Sequence, residues 1–397
     1  METILGLMKD VVYRCMAWIC RLVTLIPRRE ELWVFGAWKG KLYADNAKYM
    51  FEYVNREHPQ IRAVWIARDR AVVREVRAKG YQSYANHSLM GIFLCLRAGV
   101  ALMTEDTHDI SKVLISGSKM IQLWHGMGIK DVRKFVQPDI SRARAHYLKY
   151  AHPYERQYWM TACRDAAEKY ARAFGVPPEQ MFITGQPKDD NFVVCGKNAM
   201  VEEIRARHPG ATIYVYLPTH RNFGQGDVCK ELTYEAFARL NTLLREKQIV
   251  MIFKPHTHEF AHYRGKTHSL SNIVFATDPE AYGDVYAFLP MCDGLITDYS
   301  GVMLGYLTGG KPIVYFPFDM DEYLRNDAGF CFRYEEVTAG PICKTWEEVV
   351  RAIDAIRAED TYKQRREELR KRFSPYNDGR NCQRVYQEIQ SILHPSN

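Results

Sequence analysis

The chain has 397 residues, of which 47% are hydrophobic and 25% are charged, and its formal net charge is +7. This length is typical of two domains, and the composition is that of a folded globular protein. The sequence has no long Lys/Arg block and no basic-aromatic repeat, so the small positive excess argues against a nucleic-acid partner and favours an acidic substrate or an anionic membrane surface.

The 10 cysteines are scattered along the chain, and no pair has the CxxC spacing. This distribution favours reduced thiols in a cytoplasmic protein over a disulfide framework.

Residues 1–27 combine an apolar stretch with basic residues. Arg14 and Arg21 interrupt the apolar run and no small-residue cleavage site follows it, so the pattern predicts neither a signal peptide nor a membrane-spanning helix. On a helix, one face would carry apolar side chains and basic residues would flank it, which predicts a monotopic helix in the membrane interface. The alternative is a helix packed on the protein's own core. The predicted face consists of Val12, Met16, Ile19, Val23 and Ile26, with Trp18 near its edge.

From residue 29 onward, apolar strands alternate with amphipathic helices, which predicts mostly parallel, doubly wound sheets. A glycine- and proline-containing turn at residues 185–188 marks a domain boundary. We therefore expect an interfacial helix at residues 1–28, a first Rossmann-like domain at 29–187 and a second at 188–397. Strands are predicted at 32–37, 61–67, 81–84, 100–104, 120–124, 180–184, 212–217, 249–254, 272–276, 294–297 and 312–316. Helices are predicted at 45–55, 71–78, 88–97, 139–170, 234–247, 300–308, 346–372 and 381–393.

Several predicted strands end in polar residues, and ligands bind at the carboxyl ends of parallel strands. His125 and Gly126 follow the strand that ends at Trp124. A histidine there is suited to act as a general base, and the glycine permits close approach of a substrate. The alternative is a structural turn histidine.

Strand ends in the second half carry groups that suit a phosphate. Arg221, in the sequence Pro-Thr-His-Arg that includes Thr219, could grip a phosphate bidentately, and Lys254 could supply a point charge. His256 could bind a phosphoryl oxygen or protonate a leaving group. Alternatively, these side chains are solvated loop residues.

Residues 292–316 read as a strand, a polar turn, a short helix and a second strand. The hydroxyls of Thr297 and Ser300 and the unpaired backbone N–H groups of the turn predict a diphosphate cradle.

Other common site motifs are missing. The three histidines at 256, 258 and 262 lack zinc-ligand spacing, and the sequence has no HExxH, Walker A, GxGxxG or GxSxG motif. We therefore predict neither a metal site nor a bound cofactor.

Taken together, the motif blocks resemble the CDP-glycerol glycerophosphotransferase family of teichoic-acid and capsule polymer synthesis. The blocks occur in the family's order over about residues 33–345. They are GKLYADN at 40–46, WHG at 124–126, GQPKDD at 185–190, PTHR at 218–221, His256, ITDYS at 296–300, residues 311–319 and residues 340–342.

The resemblance implies a GT-B architecture, with two Rossmann-like domains facing a cleft. It also implies transfer of glycerol phosphate from CDP-glycerol to a hydroxyl of a lipid-linked saccharide or polymer acceptor, with release of CMP. The partners would be CDP-glycerol, that acceptor and the inner leaflet, which places the protein peripherally on the cytoplasmic face of the membrane.

Residue roles follow from the matched blocks. His125 would be the base, and His256 a phosphoryl stabiliser or acid. Arg221 and Lys254 would be charge partners, and Thr297 and Ser300 would cradle the diphosphate. Asp298 would orient the ribose or a neighbouring side chain.

The sequence departs from the family pattern at Met127 and Gly128, at Thr257, and at Gly301, which replaces a serine whose backbone N–H remains available. The first two departures bear on the acceptor.

Three alternatives remain open. They are transfer of another polyol phosphate such as ribitol phosphate, a GT-B nucleotide-sugar glycosyltransferase or epimerase, and a non-catalytic membrane-bound component. The absence of a large module before Trp33 favours a primase over a polymerase.

Overall fold

The structure is a computed structural model. It describes residues 2–131, 141–151, 154–194, 196–219, 221, 234–255, 270–276, 284–326 and 329–395. The chain divides into two compact units. Unit 1 comprises Met1–His125, Arg133–Lys188 and Arg380–Asn397, and unit 2 comprises Gly126–Val132 and Asp189–Gly379.

Unit 1 contains a seven-stranded parallel sheet with the order β3-β2-β1-β4-β5-β6-β7. Its central strands are apolar and buried on both faces, as expected when helices cover both sides of a parallel sheet. The strands are β1 Arg29–Phe35, β2 Arg62–Ala67, β3 Ser83–Ala85, β4 Ala98–Met103, β5 Lys119–Gln122, β6 Tyr158–Thr161 and β7 Met181–Ile183. The helices that precede and connect them are α1 Glu2–Thr24, α2 Asp45–Glu57, α3 Arg70–Ala78, α4 Leu89–Arg97, α5 Arg142–Ala151 and α6 Arg164–Phe174.

Unit 2 contains a five-stranded parallel sheet with the order β10-β9-β8-β11-β12. The strands are β8 Thr212–Leu217, β9 Ile249–Phe253, β10 Ile273–Phe275, β11 Gly294–Thr297 and β12 Ile313–Tyr315. The helices are α7 Ala199–Arg207, α8 Tyr234–Glu246, α9 Val302–Tyr306, α10 Met320–Asn326, α11 Trp346–Ala358 and α12 Lys363–Phe373, and the final helix of the chain is α13 Asn381–Leu393. The prediction of an α/β fold with parallel sheets is therefore confirmed.

Two predicted helices are wrong in extent. Strand β6 interrupts the stretch 139–170. The prediction failed because the segment Tyr-Trp-Met-Thr suits a buried strand as well as a buried helix, and periodicity does not separate the two. The stretch 346–372 breaks after Ala358, where Asp360 accepts a hydrogen bond from the backbone N–H of Tyr362 and pairs with Arg366.

Helix α13 belongs to unit 1, although the sequence analysis assigned it to the second domain. The ring of Tyr386 on α13 stacks on His58 at 3.5 Å and lies 5.7 Å from Trp33. Val385 and Ile389 are buried in the core cluster of β1, β2 and α2. The sequence pattern shows that α13 has an apolar face, but it does not show which core that face covers.

Helix α1 presents different side chains to the protein and to solvent. Ala17 and Cys20 are buried against α5, and Tyr13 stacks on Tyr147 at 5.6 Å. Of the predicted apolar face, Met16 is partly buried in this contact and Val23 is also buried, so part of the helix does pack on the protein's own core. The opposite side carries exposed apolar residues, namely Met8, Val11, Val12, Trp18, Ile19, Leu22 and Leu25. None of the described helices is long and apolar enough to cross a bilayer.

Candidate active site

In unit 1, the strand order reverses direction between β1 and β4, which are neighbours in the sheet. Ligand sites in such sheets form at the carboxyl ends of the strands beside this reversal. His125 lies three residues after β5, the next strand beyond β4. Trp124 has φ 50° and Gly126 has φ 120°. The backbone therefore adopts a left-handed conformation on both sides of His125.

The imidazole of His125 is positioned by backbone and aromatic contacts. It donates a hydrogen bond to the backbone of Thr104, just after β4. Its ring lies 4.5 Å from the ring of Trp124 and 5.8 Å from that of Trp38. One ring nitrogen is thus used as a donor, which leaves the other free to act as an acceptor in the neutral tautomer.

The side chain of His125 is accessible to solvent. Even so, desolvation by the surrounding protein atoms lowers its pKa; Asp45 opposes this shift and Lys188 adds to it. A lowered pKa keeps the imidazole neutral at working pH, which is the form a general base requires.

A buried ion pair fixes the backbone of His125. The ammonium group of Lys188 donates to the carbonyl oxygen of His125 at 2.6 Å and to Oδ1 of Asp45 at 3.0 Å. Lys188 is only 2% exposed, and Asp45 is also buried, with φ 64°. Asp45 is the first residue of α2, and His125 follows β5. The ammonium group of Lys188, in the boundary turn at residues 185–188, therefore connects the start of this helix to the end of this strand.

Two amides reinforce the same arrangement. Asn46 donates to the carbonyl oxygen of Trp124 at 2.8 Å and to Oε1 of Gln186, and it accepts from the backbone N–H of Lys188 at 3.2 Å. Asn381 of α13 donates to the carbonyl oxygen of Gln186 at 3.0 Å. The blocks at residues 40–46, 124–126 and 185–190 are therefore brought together. Sequence reasoning noted these blocks but assigned no role to Asp45, Asn46, Gln186 or Lys188.

In unit 2, the equivalent reversal lies between β8 and β11. Thr219 follows β8 and Asp298 follows β11. The carboxylate of Asp298 accepts from the Thr219 backbone N–H at 2.9 Å and from its hydroxyl at 2.6 Å. Asp298 is fully buried. Asp298 therefore contacts a neighbouring side chain, and its predicted role toward the ribose stays a prediction.

Arg221 does not present its guanidinium as a phosphate grip. The side chain is buried, binds Asp319 through two nitrogens at 2.8 Å each, and lies 2.7 Å from Asp298. Burial opposes its charge, but Asp298 and Asp319 outweigh that effect and raise its pKa. The carboxylates of Asp298 and Asp319 already bind its guanidinium group, so Arg221 positions the residues that follow β8 and β11.

The predicted diphosphate cradle is only partly available. The hydroxyl of Thr297 is buried and donates to the carbonyl oxygen of Leu217 at 2.7 Å. Ser300 is partly exposed, and its hydroxyl oxygen lies 3.5 Å from the backbone nitrogen of Val302. Ser300 and the backbone beside it are therefore the part of the cradle that can contact a ligand.

Gly301 has an ordinary helical φ of −60°, so its conformation does not require glycine. A Cβ at this position would lie 3.0 Å from Cα of Gly128 and 3.2 Å from the carbonyl oxygen of Met127. A side chain at this position would therefore require these two segments to move apart by a few tenths of an ångström. Two positions at which the sequence departs from the family pattern, Gly128 and Gly301, thus lie against each other.

Lys254 follows β9 and is partly buried. Desolvation lowers its pKa, and Asp284 opposes that shift. His256 and the neighbouring histidines lie outside the described residues, so its predicted role stays a prediction. Within the described ranges, no three His, Cys, Asp or Glu side chains are placed to hold a metal ion.

The family model described as CDP-Glycerol:Poly(glycerophosphate) glycerophosphotransferase matches residues 19–391. A teichoic acid poly(glycerol phosphate) polymerase of Bacillus subtilis is 23% identical over 85% of this chain and 46% of its own length. The chain thus spans about half the length of such relatives. A teichoic acid glycerol-phosphate transferase of Staphylococcus aureus is 22% identical over 93% of this chain and 95% of its own.

Solved structures give the same fold. The wall teichoic acid polymerase TagF, in a variant soaked with CDPG, superposes with a TM-score of 0.75 at 21% identity, covering 99% of this chain and 98% of that chain. The S. aureus MnaA–UDP structure superposes with a TM-score of 0.58 at 12% identity, covering 92% and 97%.

Replacing Lys188 with alanine should lower the free energy of unfolding of unit 1 by about 3–5 kcal/mol, because Asp45 would remain buried without its cation. Urea unfolding followed by circular dichroism measures the loss. Arg207→Ala is the matched control, since Arg207 pairs with Glu203 at 73% and 60% side-chain exposure, and it should leave the midpoint nearly unchanged. Equal midpoints for the two variants would contradict the assigned role of Lys188.

Proposed function

The chain belongs to the CDP-glycerol:poly(glycerophosphate) glycerophosphotransferase family, and from this membership we propose that it transfers glycerol phosphate from CDP-glycerol to a hydroxyl of a lipid-linked acceptor. The products are the extended acceptor and CMP, in the synthesis of a teichoic-acid-like or capsular polymer. The observation that carries the proposal is the position of His125 at the carboxyl ends of the unit 1 strands, where Lys188 holds its backbone carbonyl.

The chemistry assigned to the residues is a phosphoryl-group transfer. His125 removes the proton from the acceptor hydroxyl, whose oxygen forms a bond to the phosphorus that carries glycerol. The bond from that phosphorus to the bridging oxygen breaks, and the electron pair leaves with CMP. Developing charge on the phosphoryl oxygens requires positive or N–H groups, a role we assign to Lys254, His256 and the backbone at Ser300 and Gly301.

A second polyol phosphate is the alternative that a specific observation favours. A teichoic acid ribitol-phosphate primase of Bacillus spizizenii is 24% identical over 94% of this chain and 94% of its own length. Glycerol and ribitol donors share the cytidine diphosphate, so the described contacts do not separate them. The epimerase alternative is supported by fold likeness alone.

We also propose that the protein lies peripherally on the cytoplasmic face of the membrane, with α1 in the inner-leaflet interface. The support is the exposed apolar side of α1, on which Trp18 is 62% and Leu22 is 60% exposed. Arg14 and Arg21 are exposed beside it, and the guanidinium of Arg21 lies 5.5 Å from the ring of Trp18. Apolar side chains flanked by cations suit an anionic interface.

The donor is tested by supplying purified protein and a lipid-linked saccharide acceptor with CDP-glycerol, CDP-ribitol or UDP-N-acetylglucosamine in parallel. We expect CMP release with CDP-glycerol, because the family membership specifies that donor. Nucleotide release is measured by chromatography, and reactions without acceptor correct for hydrolysis. Preference for CDP-ribitol would select the alternative, and turnover of the UDP-sugar alone would refute polyol-phosphate transfer.

His125→Gln should reduce transfer by about 10²–10⁴-fold while CDP-glycerol still binds, because only the proton acceptor is lost. The wild-type kcat/KM should fall as pH decreases through a pKa below the usual value of about 6.5, since a lowered pKa preserves the base form to lower pH. The pH profile and calorimetric donor binding give the two measurements. His87→Gln, an exposed histidine, serves as control. A variant that keeps the wild-type rate and acid limb would exclude His125 as the base.

The membrane proposal predicts that the double variant Trp18→Glu, Leu22→Glu binds anionic phosphatidylglycerol vesicles at least about tenfold more weakly, because two apolar side chains no longer enter the interface. Vesicle sedimentation measures the change. The variant Gln383→Glu, Gln387→Glu adds the same charge to the exposed side of α13 and should bind like wild type. If both double variants sediment equally, α1 does not contact the membrane.

A further inference from the structure

We propose that Trp38 is a stacking platform for a sugar ring of the acceptor and holds that sugar beside His125. The proposal rests on the function proposed above, because it names the acceptor chemistry that the same site would recognise. It concerns a pyranose ring carried by a lipid-linked saccharide.

The first observation is the distribution of strained backbone. Among the described residues, the non-glycine residues with positive φ are Trp38, Lys39, Asp45, Trp124 and Gln248. All except Gln248 lie near His125, with Asp45 at the first position of α2 and the others in the turns beside it. Such conformations cost about 1–3 kcal/mol each and persist where the surrounding structure imposes them, commonly at ligand sites. The turn that carries Trp38 is therefore built at an energetic cost beside the candidate base.

The second observation is that one carboxylate positions both Trp38 and His125. Buried Asp109 accepts from the backbone N–H of Lys39 at 2.7 Å and from that of Thr104 at 2.8 Å. Lys39 is the residue after Trp38, and the backbone of Thr104 accepts the hydrogen bond from His125. Asp109 thus links the turn of Trp38 to the strand end that orients the imidazole.

The other side of the turn is held as well. The carbonyl oxygen of Gly40 accepts from the backbone N–H groups of Arg68 at 2.7 Å and Asp69 at 3.0 Å. Gly40 has φ 72°, and a Cβ there would lie 2.6 Å from the backbone nitrogen of Arg68. The turn Trp38–Gly40 is therefore fixed at both ends, and the direction of Trp38 is fixed with it.

The third observation is the placement of the indole. Trp38 is only partly buried, although it packs on the core cluster of β1 and α2. Its ring centroid lies 5.8 Å from that of His125, with 40° between the ring planes. The accessible part of an indole can bind the C–H face of a sugar, and its N–H can supply a polar contact. A pyranose ring on this face would hold a hydroxyl within reach of the imidazole.

The variant Trp38→Gly removes the indole, and glycine readily adopts the positive φ of this position. The substitution therefore removes the proposed platform without adding backbone strain to the turn. Two soluble acceptors are compared, namely a disaccharide diphosphate with a short alkyl chain and glycerol 3-phosphate, which has no sugar ring. We expect the KM for the disaccharide to rise about tenfold, equivalent to about 1.4 kcal/mol. The KM values for CDP-glycerol and glycerol 3-phosphate should not change. Trp38→Phe keeps an aromatic face and should recover most of the loss.

Calorimetric binding of the disaccharide diphosphate without CDP-glycerol provides a readout that does not depend on turnover. Weaker binding to Trp38→Gly than to wild type is expected. Wild-type protein that binds the disaccharide but releases no CMP would refute the proposed function and leave the platform standing. Unchanged disaccharide affinity in Trp38→Gly, or equal losses with both acceptors, would overturn the platform.

Discussion

The buried ammonium group of Lys188 determines the geometry of the candidate base. It binds the carbonyl oxygen of His125 and the carboxylate of Asp45, and little solvent reaches it to screen these contacts. Removing a charge from water costs several kcal/mol, so such a group is tolerated only where its partners are well placed. Lys188 in turn holds its partners, the carboxylate of Asp45 and the carbonyl oxygen of His125, in place. The loop at Trp124 can remain in a strained conformation for this reason.

Unit 2 uses a buried cation in the same way. Arg221 is surrounded by Asp298 and Asp319 and by the rings of Tyr299, Phe318 and Tyr323. The guanidinium fork that sequence reasoning assigned to a phosphate instead connects the residues after β8 and β11. In both units, then, a buried cation near the strand ends has a structural role, namely Lys188 in unit 1 and Arg221 in unit 2.

Sequence patterns were sufficient where a single local rule decides the outcome. Apolar runs predicted the buried parallel strands, and the rule about strand ends drew attention to His125, Thr219 and Asp298. The patterns were insufficient where the outcome depends on a distant partner. Whether Arg221 faces a ligand or a carboxylate depends on Asp319, 98 residues away. The partial burial of Met16 depends on α5, and strand β6 is paired with its neighbours β5 and β7.

The return of the chain to unit 1 has a consequence for biosynthesis. Asn381 on α13 completes the hydrogen bonds around Gln186, and α13 covers apolar residues of the first sheet. A ribosome makes all of unit 2 before it makes α13, so unit 1 cannot reach its final packing until α13 has been made, unlike domains that fold one after another from the amino end. The hydrogen bond from Asn381 to Gln186 therefore forms only after all of unit 2 has been synthesised. A chain that stops before α13 lacks this support of the turn that contains Lys188.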